Sequence, residues 1–128
     1  LHDEVLPIIK NSLKNLDVRG ERRYLQGRSF LQLPLNINNR EKLDVPHIDI
    51  ANFKHLVILY YVTDADGETI IYENQFKEGE KIPNFEDLKE KKRVMPKQGR
   101  VVCFDGFYWH TSQQPTIGPR CIINYNVV

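Results

Sequence analysis

His55-Leu56-Val57-Ile58-Leu59-Tyr60-Tyr61-Val62 is apolar on both of its alternating faces. Strand side chains point to opposite faces in turn, so a run with no polar face predicts a central strand covered on both sides. Asp64-Ala65-Asp66-Gly67 follows as a turn-forming cluster. It predicts a hairpin whose return strand runs from Glu68 to Tyr72.

Toward the N-terminus, Ser29 to Ile37 alternates, with Leu31, Leu33, Leu35 and Ile37 on one face. That parity predicts a strand buried on the leucine side, and Pro34 predicts an edge position or a bulge. Asn38-Asn39-Arg40 reads as a turn. Glu21 to Arg28 carries three arginines. Such a short basic cluster reads as a solvated turn, with a place at the mouth of a pocket as the alternative. Before it, Leu1, Val5, Ile9, Leu13 and Leu16 form a helical stripe. Residues 3–17 are predicted as a support helix packed on a sheet, with Asp3 as its cap and Gly20 as its stop.

Toward the C-terminus, residues 76–97 hold twelve charged side chains, seven basic and five acidic. This predicts an exposed insertion between strands, with a short helical turn over Asn84 to Lys92, and makes it the candidate lid. Gly99 to Phe104 reads as another buried strand, Asp105-Gly106 as a turn toward Trp109-His110, and Gly118-Pro119 as the approach to a last strand from Arg120 to Val128. Six to eight short strands with turns between them predict a mainly β fold, a small antiparallel barrel or jelly roll with an N-terminal support helix.

The 128 residues point to a single domain over 1–128. Net charge is +1, so no global field draws in nucleic acid or an anionic membrane. Cys103 and Cys121 are too few for a disulfide framework and sit in apolar runs, which suggests a reducing, cytoplasmic setting. No apolar run reaches the roughly 18 residues of a membrane span, and no signal-peptide pattern opens the chain. The first residue is Leu1 rather than Met, as in a trimmed sequence.

The chemistry gathers at Pro46-His47-Ile48-Asp49. Fe(II) in oxygenases is commonly held by two histidines and one carboxylate on one face, with the other positions open to co-substrate and O2. A His-x-Asp pair on a strand turns both side chains to the same side. His110, after a buried strand, can supply the third ligand. His-x-Asp is a frequent pattern, and the spacing alone leaves a metal-free site open. His55 is a rival ligand placed at the opposite end of its strand, and His2 lies beside a terminus. Arg120 heads a core strand otherwise made of Cys, Ile, Ile, Asn, Tyr, Asn, Val and Val, with no acid, where an arginine is costly unless an anion pairs with it. Its planar fork suits the carboxylate of a bound oxo-acid. The plainer alternative is a rim arginine that reaches water.

Taken in order, His47-Ile-Asp49, Tyr60-Tyr61, Asp66-Gly67-Glu-Thr69, Pro96-Lys-Gln-Gly99-Arg100-Val-Val-Cys-Phe104, His110 and Gly118-Pro-Arg120 resemble the Fe(II)- and 2-oxoglutarate-dependent dioxygenase superfamily. The similarity is greatest to its prolyl-4-hydroxylase-like branch and to small oxygenases of tailed bacteriophages, and it covers roughly residues 30–128. The resemblance implies a double-stranded β-helix, with His47, Asp49 and His110 as iron ligands and Arg120 on the distal carboxylate of 2-oxoglutarate. It also implies a co-substrate hydrogen bond from Tyr61 and a pocket-lining place for Thr69. Asn124 shares parity with Arg120 and is expected to face inward. Where the family usually carries Gly-Gly, this chain has Asp66-Gly67-Glu68.

The activity so implied is hydroxylation of an unidentified peptidyl, prolyl or small-molecule substrate, releasing succinate and CO2. It would use Fe(II), 2-oxoglutarate and O2, with ascorbate as an optional accessory. The location would be cytoplasmic, in a host cell if the gene is a phage's. The nucleic-acid repair branch carries a second arginine six residues after the first, where this chain has Asn126, so nucleic acid is a disfavoured partner. The rival classes are a cupin-like or degenerate jelly-roll protein that binds metal without oxidation, and a structural module with no metal.

Overall fold

The helical stripe forms α1 (His2–Asn15), and its apolar side buries Val5, Ile9 and Leu13. The computed structural model describes residues 2–15, 22–35 and 43–128. Gly20, the expected stop, and the turn at residues 38–40 lie outside the described residues. Asp3 falls inside the first turn rather than at the cap, where its charge favours the helix dipole.

Among the described residues seven strands follow: β1 (Tyr24–Gln32), β2 (Leu56–Tyr61), β3 (Thr69–Gln75), β4 (Glu90–Val94), β5 (Val101–Asp105), β6 (Tyr108–Ser112) and β7 (Arg120–Val127). Every pairing is antiparallel. The strands form a four-stranded sheet in the order β1-β7-β2-β5 and a three-stranded sheet in the order β4-β3-β6. The architecture is mainly β, two antiparallel sheets with one N-terminal helix.

β2 is the central strand that its sequence predicts. Ile58 faces α1 with Ile123, Tyr125 and Val127. Val57, Leu59 and Tyr61 face the other way, clustered with Ile122 and Val94. Fully burying each such side chain contributes roughly 1.5–3 kcal/mol, so this strand anchors both layers.

The expected hairpin after β2 does not form. β2 pairs with β5 and β7, whereas β3 pairs with β4 and β6. The turn at 64–67 therefore carries the chain from one sheet to the other. Two further expectations shift. The strand predicted at 29–37 starts earlier, at Tyr24, and its leucine face is the outer one: Leu31 and Leu33 are about two-thirds exposed. β1 does sit at a sheet edge, with Pro34 just beyond its end. The helical turn expected over 84–92 is a single 3-10 turn at Phe85–Asp87. From Glu90 the chain is extended as β4, whose charged residues blunt a free sheet edge. No helix among the described residues is long and apolar enough to cross a membrane.

Candidate metal centre

Residues 43–47 extend the smaller sheet along β6 through two isolated antiparallel bridges, Leu43 to Gln113 and His47 to His110. The His47 N–H donates to the His110 carbonyl at 2.9 Å, and the His110 N–H to the His47 carbonyl at 3.1 Å. Directly opposed residues share a face, and the two imidazole centroids lie 4.5 Å apart. His110 is thus mid-strand, not past a strand end as its sequence context predicts. Asp49 sits in a bend two residues beyond His47. Its Oδ1 lies 3.6 Å from His47 Nε2 and 3.5 Å from His110 Nε2.

The backbone sets the tautomer of both rings. His47 Nδ1 faces the Val45 carbonyl at 3.2 Å, and His110 Nδ1 faces the Tyr108 carbonyl at 2.9 Å. A carbonyl only accepts, so each Nδ1 carries the proton and donates it. Each Nε2 then turns a lone pair toward the same carboxylate oxygen. Two lone pairs aimed at an anion repel it unless a positive charge stands between them. A divalent cation answers that need. Metal–ligand bonds of about 2.1 Å at right angles place ligand atoms about 3.0 Å apart; the carboxylate oxygen stands about half an ångström beyond that from each nitrogen, and the three ligand atoms lie within 4.8 Å of one another.

The other carboxylate oxygen is held in place. Asp49 Oδ2 accepts from Asn124 Nδ2 at 2.8 Å and from Asn126 Nδ2 at 2.6 Å. Burial opposes ionisation of Asp49, but its surroundings outweigh it, among them the amide donors of Asn126 and Asn124, and hold the carboxyl well below the usual carboxylate range. Such outer partners orient a ligand and tune its basicity.

This triad stands in a cavity of about 190 Å³ whose walls include Leu59, Thr69, Thr111, Ile122 and Arg120. Sites for drug-sized molecules run roughly 300–1,000 Å³, so the space suits a molecule smaller than those. β7 supplies one wall at every second residue: Arg120, Ile122, Asn124 and Asn126. Arg120 is four residues from Asn124, about 13 Å along the strand. Its side chain is almost fully buried. Nε donates to the Gly67 carbonyl at 2.9 Å, Nη1 to Gln32 Oε1 at 2.7 Å and Nη2 to Thr69 Oγ1 at 2.7 Å. All three acceptors are neutral, and burial pulls the guanidinium below its usual pKa. Asp44, an acid whose charge acts on Arg120, is linked to it through Gln32, whose Nε2 donates to Asp44 Oδ2 at 3.0 Å. Gly67 has no room for a side chain, since a Cβ there would lie 2.3 Å from the Gln113 carbonyl oxygen.

His47, Asp49, His110, Thr69, Asn124 and Arg120 thus share one cavity. Tyr61 stands behind it. Its hydroxyl donates to Thr69 Oγ1 at 2.6 Å, and its ring centroid lies 5.9 Å from Arg120 Cζ. His55 is elsewhere, with Nδ1 donating to the Phe53 carbonyl and its ring against Gly106, so the rival ligand is not at the triad. No residue from 76 to 97 lines the cavity. Of the basic cluster at 21–28, Gln26 and Arg28 line the cavity, which is the alternative place at a pocket mouth rather than the preferred solvated turn; sequence reading overlooked Phe30, Gln32, Asp44 and Asn126 as lining residues. The signal was present: the four β1 residues alternate, and Asn126 repeats the parity of Asn124 and Arg120.

No protein-family model matches the chain, and no curated protein matches it.

Proposed function

We propose that the protein is an Fe(II)- and 2-oxoglutarate-dependent dioxygenase that hydroxylates a peptidyl, prolyl or small-molecule substrate. The observation that carries this reading is the pairing of opposites in one small cavity. At one end, three lone-pair donors converge within 4.8 Å of one another. At the other, a buried arginine has only neutral partners and calls for an anion.

In this reading His47 Nε2, His110 Nε2 and Asp49 Oδ1 hold Fe(II) on one face, while Asn124 and Asn126 keep the carboxylate turned toward it. Arg120 holds the distal carboxylate of 2-oxoglutarate, with the Thr69 hydroxyl beside it. Gly67 and Gln32 fix the plane of the guanidinium, and Leu59 and Ile122 flank the methylene chain. Tyr61 acts through Thr69, and burial keeps its phenol protonated. Bound Fe(II), with 2-oxoglutarate and O2, supplies an oxidant able to convert an unactivated C–H bond to C–OH, with succinate and CO2 as co-products.

The fold reading is a double-stranded β-helix. It is supported by the seven strands together with the extended segment at 43–47, which gives the smaller sheet a fourth member beside β6. Free Cys103 and Cys121 are in keeping with a reducing cytoplasm. A metal-binding jelly roll without oxidation leaves the burial of Arg120 unexplained, which is why the oxygenase is preferred.

The test is anaerobic addition of Fe(II) and 2-oxoglutarate, followed by air. The expected result is a weak visible absorption band on anaerobic binding and succinate release on oxygenation, both lost in Asp49→Ala. Stoichiometric Fe(II) binding with neither band nor succinate would leave the metal-binding alternative standing.

A further inference from the structure

β1 brings a second arginine to the cavity. Gln26, Arg28, Phe30 and Gln32 all face it, because alternate residues of a strand share a side. The register fixes where each one stands. Gln32 pairs with Arg120, Arg28 with Asn124 and Gln26 with Asn126. Gln32 therefore belongs to the Arg120 end, while Gln26 and Arg28 belong to the triad end. Gln26 Nε2 donates to Asn126 Oδ1, and Arg28 Nη2 donates to Gln26 Oε1 at 2.7 Å. A continuous chain thus runs from Arg28 through Gln26 and Asn126 to the Asp49 carboxylate.

Gln26 is the only hydrogen-bond partner of Arg28 among the described residues. That neutral contact orients the guanidinium and leaves its charge and most of its N–H groups to a ligand. Arg28 is exposed whereas Arg120 is buried, so Arg28 meets molecules arriving from solvent. Asn124 Oδ1, across the register from Arg28, is buried and has no partner, and it can accept a hydrogen bond from the same molecule.

We infer that Arg28 is the anchor for a carboxylate on the primary substrate, which makes the substrate a small acid, such as an acylated amino acid, rather than an internal residue of a peptide. The planar fork of arginine matches a carboxylate with two parallel hydrogen bonds. The Arg120 end is reserved for the co-substrate, and the two arginines hold their acids on different strands. This inference rests on the dioxygenase reading for the name of the reaction, but not for the binding it asserts.

The test titrates N-acetylproline and N-acetylprolinamide into protein loaded with Zn(II), a non-oxidising ion, and saturated with 2-oxoglutarate, with binding followed by ligand-observed NMR. The acid should bind about fivefold more tightly than the amide, the upper end for a solvent-reachable charge pair. Arg28→Gln should erase that preference and Arg28→Lys should restore part of it. Equal binding of acid and amide to the native protein, or a preference that survives in Arg28→Gln, would overturn the assignment. Succinate release under Fe(II) is scored separately. Its absence counts against the dioxygenase reading, and the acid preference is read from binding alone.

Discussion

The two ends of the cavity are built as opposites. At the triad end an anion, Asp49, is held by two amide donors and faced by two imidazole lone pairs. At the far end a cation, Arg120, is held by a carbonyl, an amide oxygen and a hydroxyl. Among the described residues neither end carries its own counter-charge in direct contact. A buried charge without a counter-ion is costly, so each end is a standing demand for a ligand of opposite sign. In the proposed reading that difference assigns the ligands: a metal at Asp49, an oxyanion at Arg120.

The largest expected effect removes the anion. Asp49→Ala should weaken divalent-metal binding by at least about a hundredfold, beyond the 10–100-fold typical of outer partners. In thermal melts, excess metal should raise the melting temperature of the native protein and leave that of Asp49→Ala unmoved. Removing the cation should act on the other ligand only. Arg120→Met should weaken 2-oxoglutarate binding by roughly 10–100-fold, the range for lost hydrogen bonds to a charged group, with metal affinity retained in calorimetry. Its melting temperature without ligand should hold or rise, because an unpaired buried charge is replaced by an apolar side chain. A matched loss of metal binding in Arg120→Met would break the division between the ends.

A smaller effect sharpens the triad end. Asn126→Ala leaves all three ligands in place and removes one donor from Asp49 Oδ2. Metal affinity should fall about tenfold. The smallest concerns how the Arg120 end is held. The Asp66 carboxylate accepts from the Thr116 and Ile117 amides and the Thr116 hydroxyl, tying the turn after β2 to the loop before β7. Burial raises its pKa, but the bonds from Thr116 and Ile117 together outweigh it and depress the value. A depressed carboxyl stabilises the fold above its unfolded pKa and loses that contribution as pH falls through the folded value. Asp66→Ala should therefore cost about 1 kcal/mol at neutral pH, with the gap closing below the usual carboxylate range. Denaturant melts at neutral and acid pH measure it.

Much of this was legible from local pattern. The stripe Val5, Ile9, Leu13 marked α1, and the two-faced run 56–61 marked a buried strand. The residue types at 47, 49, 110 and 120 marked the chemistry. The face of β1 was misread because Leu31 and Leu33 look like core, while the inward Gln26, Arg28 and Gln32 look like surface. A polar cavity inverts the usual pattern: its walls are polar and still face inward. The hairpin at 64–67 was misread because neighbouring strands usually pair, and here the turn changes sheets. The charged stretch at 90–94 resembled solvated helix because a sheet edge, like a helix face, tolerates lysines.

The sequence by itself determined most of the segments that are helix or strand and which side chains carry charge or lone pairs, because both follow largely from neighbours a few residues away. Tertiary structure alone decided that His47 and His110 stand opposite one another, that Asn124 and Asn126 grip Asp49, and that β1 closes the wall with Arg28. Those meetings span sixty to a hundred residues of chain. They depend on which strands pair and in what register, which no local pattern encodes.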